Sequence, residues 1–259
     1  MLQRLLIAII VLVSSAHASV YNAFQDGESF RYKVSWGIFA NAGEIKVSAR
    51  REIQHDQPVF RITMVTSTRG VVRGLYTYDD TAEALIDGES GRLITATEKV
   101  DNGEQSINAT TTFDYGSRLA LHRDAARPGR NVDIPIPDGD PIDLLSALIG
   151  ARFWKASPGD KRAALIFAGR DVYPINIYAD RIESISYKNK TLDALLLLPR
   201  MDSAAPRGIF KKGGEIRVWM ARDEAQLPVK MQLKLKIGTA QLTLVEHTVI
   251  SAPAKPESP

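Results

Sequence analysis

Along most of this chain apolar and polar residues alternate one by one, the period that sends successive side chains to opposite faces of a β-strand. Phe30, Tyr32, Val34 and Trp36 share one face of the first such run, with Arg31, Lys33 and Ser35 on the other. The same alternation predicts strands from Gly43 to Ile53, Val59 to Thr68, Thr77 to Ile86, Leu93 to Val100, Gln105 to Phe113 and Ser117 to Arg123, then a brief one after Pro128-Gly129. It returns at Lys161 to Phe167, Val172 to Lys188, Thr191 to Pro199, Glu215 to Ala221, Pro228 to Lys236 and Thr239 to Ile250. The long run from Val172 is expected to bend near Asp180. Turn formers separate the runs at His55-Asp56-Gln57-Pro58, Asp87-Gly88 and Asn102-Gly103, the last a strong hairpin signal. Thr68 to Tyr76 interrupts the pattern with Gly70 and Gly74 and reads as an irregular crossover with room for a short helical turn.

One stretch has a different period. Between Pro135 and Lys155, Ile142, Leu145, Leu148, Ile149 and Phe153 recur every three or four residues and paint one apolar stripe on a helix. Asp138-Gly139-Asp140 makes the preceding turn, Asp140 is placed to cap, and Pro141 suits the first helical position. Asp143 puts negative charge near the positive end of the helix dipole. Arg152 falls on the opposite, polar face, and Leu145 is expected to be a buried anchor. A lone amphipathic helix among strands can hide its stripe only against the sheet. The pattern therefore predicts a mainly β protein of about a dozen antiparallel strands with one central amphipathic helix, in a single domain over residues 19–250.

Both ends stand outside this plan. Arg4 gives a basic start, Leu5 to Val13 an apolar run and Ala16-His17-Ala18 a small-residue site, the layout of a secretory signal peptide over residues 1–18 cleaved after Ala18. The apolar run is far short of the ~20 residues that span a bilayer, so no transmembrane anchor is expected after cleavage. Residues 251–259 are Pro-rich and expected to be disordered.

Composition removes several chemistries. The chain has no cysteine, which excludes a disulfide framework, a thiol nucleophile, a thiolate metal site and a lipidated cysteine. Its Lys and Arg are interspersed with Asp and Glu for a net charge of only +3, a solvated surface with no nucleic-acid footprint. His55, His122 and His247 form no pair at helical spacing. Asp138, Asp140 and Asp143 alternate like ligands of a hard cation but lack the remaining oxygen donors, so a turn and a cap are expected there, with no metal and no other cofactor. No G-x-S-x-G elbow is present, and Gly70-x-x-x-Gly74 lacks the flanks of a phosphate loop. Asp79-Asp80 heads a strand, where neighbours point apart, so turn chemistry rather than a shared proton is expected. Asn108-Ala109-Thr110 and Asn189-Lys190-Thr191 match the glycosylation sequon, which carries no weight in a bacterial host.

The aromatic residues offer a candidate ligand site. With the helix across the concave side of the sheet, Trp36, Trp154 and Trp219 are placed to line one pocket together with Phe30, Tyr32 and Leu145. The plainer reading of the same six residues is ordinary core.

Gly27-Glu28, then Phe30-x-Tyr32-x-Val34-Ser35-Trp36, then Ala42-Gly43-Glu44 resemble the opening of the bacterial family catalogued as domain of unknown function 3108. Pro137 with Asp143-Leu144-Leu145-Ser146-Ala147-Leu148 is similar to its central helix. Gly214-Glu215-Ile216-x-Val218-Trp219, Asp223, Leu227-Pro228-Val229 and Ile237-Gly238 are similar to its final three strands. The resemblance covers Gly27 to Val245 and implies a periplasmic protein of Gram-negative bacteria with no settled activity. By analogy of fold it also implies a curved or spiral, incompletely closed β-barrel, as in envelope proteins that include the outer-membrane lipoprotein carriers. Fold does not fix function, and these motifs carry no catalytic signature. Three functions stay open: a non-catalytic envelope protein that binds a lipid, another apolar or amphipathic ligand, or an envelope protein partner; a scaffold docking through a strand edge; and a periplasmic hydrolase drawing on His122 or His247 with Asp80.

Overall fold

The computed structural model describes residues 24–102, 106–202, 205–210, 214–235 and 238–249. The predicted signal peptide, the Pro-rich tail, Gly103 of the predicted hairpin turn and Ile237 of the family pattern lie outside the described residues.

The alternating runs become strands β1 (Glu28–Trp36), β2 (Phe39–Gln54), β3 (Gln57–Thr68), β4 (Asp79–Asp87), β5 (Leu93–Asp101), β6 (Ser106–Asp114), β7 (Leu119–Asp124) and β8 (Val132–Pro135). After them come β9 (Ile142–Asp143), β10 (Lys161–Ala168), β11 (Asp171–Tyr187), β12 (Lys190–Arg200), β13 (Glu215–Ala221), β14 (Pro228–Leu235) and β15 (Gly238–Val249). The crossover after β3 holds the helical turn α1 (Gly70–Leu75), and the central helix is α2 (Leu144–Gly150). All the strands belong to one sheet, ordered β8-β7-β6-β5-β4-β3-β2-β1-β15-β14-β13-β12-β11-β10-β9. Sequence neighbours pair except β8 with β9, which form the two edges, and the first and last strands also pair at the centre. The bend expected near Asp180 is a register shift between Ala179 and Ile182.

The ring stays open between β8 and β9. Both edge strands are short, four and two residues, which leaves little unpaired backbone to template another chain. Side chains close the gap instead: the Phe113 ring on β6 meets Phe167 on β10 edge to face at 5.1 Å. The chain itself crosses from one edge to the other through residues 136–141, held by an Arg92 to Asp140 ion pair of 3.0 Å. The mainly β, curved and incompletely closed barrel with one central helix is therefore the observed architecture.

The helix differs from its predicted form in three respects. Ile142 and Asp143 pair in parallel with Ile166 and Phe167 on β10, so the stretch expected to be the first turn is strand. The cap is consequently Asp143, whose side chain accepts a 2.9 Å hydrogen bond from the Ser146 amide, and Asp140 serves the edge crossing instead. The last turn, Ala151–Phe153, is a tighter 3-10 turn, which rotates the stripe. Arg152 is consequently buried, with Phe153 about half exposed, the reverse of the predicted faces. Leu148 and Ile149 are the buried anchors, and Leu145 is half-buried against the core.

Arg152 is held for a reason. Its guanidinium donates to both carboxylate oxygens of the fully buried Glu28 at 2.6 and 2.7 Å, and His247 Nε2 lies 2.7 Å from the same carboxylate. Burial raises the Glu28 carboxyl, yet the Arg152 guanidinium, the Gln25 amide and His247 outweigh it and hold the group below its ordinary range. Glu28 is on β1 and His247 on β15, so this cluster ties the helical connector to the central seam. The Phe153 ring covers the guanidinium at 4.8 Å.

Candidate functional site: a cavity beneath the central helix

Small residues open a space inside the barrel. The inward positions of β4 to β6 include Ala82, Ala84, Ala96 and Ala109, so this wall recedes from the interior. Facing it are large apolar side chains: Tyr32, Ile45, Ile62 and Met64 from β1 to β3, and Ile216, Met231, Leu233 and Leu242 from β13 to β15. Leu144, Leu145 and Leu148 of α2 cover the space from above. The result is a cavity of about 410 Å³, within the ~300 to 1,000 Å³ of small-molecule sites.

One side of this apolar chamber is polar. Asp80 on β4, Glu98 on β5, Thr111 on β6 and His122 on β7 line it, and Asp143 approaches from the helix cap. Strand register sets this stripe: Glu98 stands opposite Ala82, two residues along β4 from Asp80, and Thr111 stands opposite His122. Asp79 points away and pairs with Arg73 at 2.9 Å, so the two neighbours diverge as their strand position requires. The expected turn role of the pair does not hold, because both residues are inside the β3 to β4 ladder, opposite Ser67 and Thr66.

The ionisable groups of the stripe are perturbed by their surroundings. Asp80 is 9% exposed, its Oδ1 has no hydrogen-bond partner, and burial with the nearby Glu98 charge pushes its carboxyl up to about 6. Burial also raises Glu98, an effect reduced by Arg127 and reinforced by Asp124. Arg127 is itself held by Asp124 at 2.8 Å. His122 is pushed down by burial and then by Arg170, and its Nδ1 lies 2.9 Å from the Thr111 hydroxyl. Asp143 is raised by burial despite its hydrogen bonds from Ser146, and its Oδ2 has no partner. A buried acceptor without a donor is costly, and two face this cavity.

Of the six residues expected to form a ligand pocket, Tyr32 and Leu145 line the cavity. Phe30 is buried beyond it, against Phe24 and His247. Trp36 lies against Gly238, where an added Cβ would sit 2.7 Å from its Nε1, so the glycine gives the indole its place. Trp154 packs half-buried on the core. Trp219 is on the outer face, since it is one residue removed in parity from cavity-lining Ile216; its indole donates to Glu183 at 2.7 Å beneath the Lys230 ammonium. The three tryptophans thus do not meet in one chamber. The unpredicted part of the site is its alanine wall and Glu98. The available signal was small or charged residues at inward positions of an otherwise regular alternation.

The three histidines among the described residues are apart in role: His55 in the β2 to β3 turn, His122 in the cavity and His247 at the seam. Asp138 is exposed, while Asp140 and Asp143 have the separate duties given above. Among the described residues no cluster of three or more His, Asp or Glu is arranged to hold a metal ion, and no helix is long and apolar enough to cross a membrane.

Comparison with known proteins agrees with the architecture. The family described as a protein of unknown function (DUF3108) matches residues 31–245. A crystal structure of a beta-barrel-like protein of domain of unknown function DUF1849 from Brucella abortus is similar over 86% of this chain and 97% of its own, with a TM-score of 0.53 and 7% identity. The hypothetical protein CT021 from Chlamydia trachomatis covers 93% of this chain and 97% of its own at 8% identity, but its TM-score of 0.37 supports no argument. No curated protein matches.

Proposed function

We propose, starting from a chain that belongs to the DUF3108 family of proteins of unknown function, that this is a non-catalytic exported protein of the cell envelope that holds an apolar or amphipathic molecule inside its barrel. The observation that carries the reading is the cavity of about 410 Å³ with an apolar wall and a short polar stripe. A void of that size forfeits the close packing of a normal interior, so it is costly unless something occupies it. Export with cleavage after Ala18 belongs to the same proposal. Intact-mass analysis of the exported protein should then give a chain beginning at Ser19, and retention of Met1 to Ala18 would refute it.

The test of the cavity is to fill it. Ala96→Leu places a large side chain in the receding wall, where there is room for it. Wild type should take up the apolar fluorophore N-phenyl-1-naphthylamine, and Ala96→Leu should lose that uptake with its melting temperature unchanged or raised. Equal uptake by both would place the binding elsewhere and end the reading.

A hydrolase has one observation in its favour, because His122, Thr111 and Asp80 line the same space. The Thr111 to His122 contact resembles a nucleophile and base, but among the described residues no carboxylate is hydrogen-bonded to His122 to orient it. Turnover of a short-chain nitrophenyl ester that disappears in His122→Ala would favour this reading over the carrier.

A further inference from the structure

We propose that Asp80 and Glu98 form a headgroup subsite, and that the occupant of the cavity is an amphipathic molecule whose polar end is a cationic hydrogen-bond donor such as a primary ammonium. This rests on the cavity reading above and specifies its ligand. The Asp80 side chain lines the cavity at 9% exposure, and its Oδ1 has no donor among the described residues. Glu98 lines the same side, close enough for its charge to act on Asp80. Asp143 brings a second partnerless oxygen to the chamber.

Local charge decides between headgroups. The Arg127 guanidinium is engaged by Asp124, His122 is held toward its neutral form, and Arg170 is exposed, so among the described residues no cation acts on Asp80. An anionic head would meet two carboxylates in a poorly solvated space and be repelled. A hydroxyl would donate one hydrogen bond and leave the carboxylate charge uncompensated. An ammonium donates three hydrogen bonds and neutralises charge as it does so, and hydrogen bonds between ionised partners are about twice as strong as neutral ones. Burial of Asp80 amplifies this preference because water screens it poorly. The apolar tail then lies along Met64, Leu145, Met231 and Leu242.

Displacement of N-phenyl-1-naphthylamine from the purified full chain at neutral pH, by dodecylamine, dodecanol and dodecanoate below their micelle concentrations, tests the headgroup. Dodecylamine should compete about ten-fold or more better than dodecanol, with dodecanoate weakest. Asp80→Asn, and separately Glu98→Gln, should erase most of the advantage of the amine over the alcohol, with folding verified by circular dichroism. An amine no better than the alcohol, or an advantage that survives both substitutions, overturns the headgroup inference and leaves the cavity reading standing. Failure of all three to displace the fluorophore, or no fluorophore uptake at all, removes the cavity reading and this inference with it.

Discussion

The inner face of the sheet is furnished in two ways. Around the cavity the inward positions of β4 to β6 hold Ala82, Ala84, Ala96 and Ala109 with Asp80, Glu98 and Thr111, and the buried Ile86, Val100 and Phe113 follow on the same strand faces beyond it. On β11 to β13 they hold Ile175, Ile177, Leu195, Leu197, Val218 and Met220, each buried. Both sets obey the same alternation and belong to the same ladder, so secondary structure does not separate them. Side-chain volume does: large residues facing large ones reach crystal-like packing, and alanines facing large ones leave a chamber. The filled side is packed as an ordinary core, and the hollow side leaves the chamber open.

The largest effect is expected where the two sides are tied together. Arg152→Ala strands the buried Glu28 carboxylate at the seam and should cost about 3 to 5 kcal/mol in denaturant unfolding. A loss under ~1 kcal/mol would mean that the connector is not locked to β1 and that the chamber has no fixed roof. Arg152→Lys should recover only part, because a single ammonium cannot replace the two-pronged contact.

A matched pair of leucines probes the two sides directly. Leu197, 1% exposed on the filled side, should cost about 2 to 5 kcal/mol on truncation to alanine. Leu145, half-buried over the cavity, should cost ~1 kcal/mol or less in the free protein because few packed neighbours are lost. Leu145→Ala should instead weaken uptake of the fluorophore. Equal stability losses would erase the distinction between filled and hollow sides.

The polar stripe sharpens the contrast by a change of sign. In the fold the Asp80 carboxyl is pushed up to about 6 from an ordinary 3.8, so the native state binds its proton more tightly than the unfolded chain. Stability from this group therefore falls as pH rises between about 4 and 6 and stays lower above that window. Asp80→Asn removes the buried charge and should stabilise the empty protein by ~1 to 3 kcal/mol at neutral pH, with the gain vanishing toward pH ~4. A destabilised Asn variant at neutral pH would show that the carboxylate is satisfied in solution.

Legibility in the sequence followed locality. A strand face is fixed by residues two apart, so the runs from Phe30, Leu93 and Glu215 were readable one by one, and Asp180 marked its bend. The helix was legible as a helix, but its boundaries were not. A two-residue pairing of Ile142 and Asp143 with β10 moved its start, and the 3-10 turn at its end reversed the faces of Arg152 and Phe153. The tryptophans misled because aromatic residues mark buried area without saying which face of the sheet buries them. Trp219 is covered by Glu183 and Lys230 on the outside.

By itself the amino-acid sequence determined the strand class, the turns, the lone helix and the absence of thiol chemistry, since each depends on residue type or on spacing within a few positions. Only the tertiary structure decided that Glu28 and Arg152, 124 positions apart, share one buried contact, and that Asp80 and Glu98 share one side of a chamber. It alone decided that four alanines face large apolar residues across that chamber. The physical reason is that a cavity is a property of two facing surfaces: its volume depends on sheet curvature and on which strands meet across it, and neither is written in the spacing of residues along one strand.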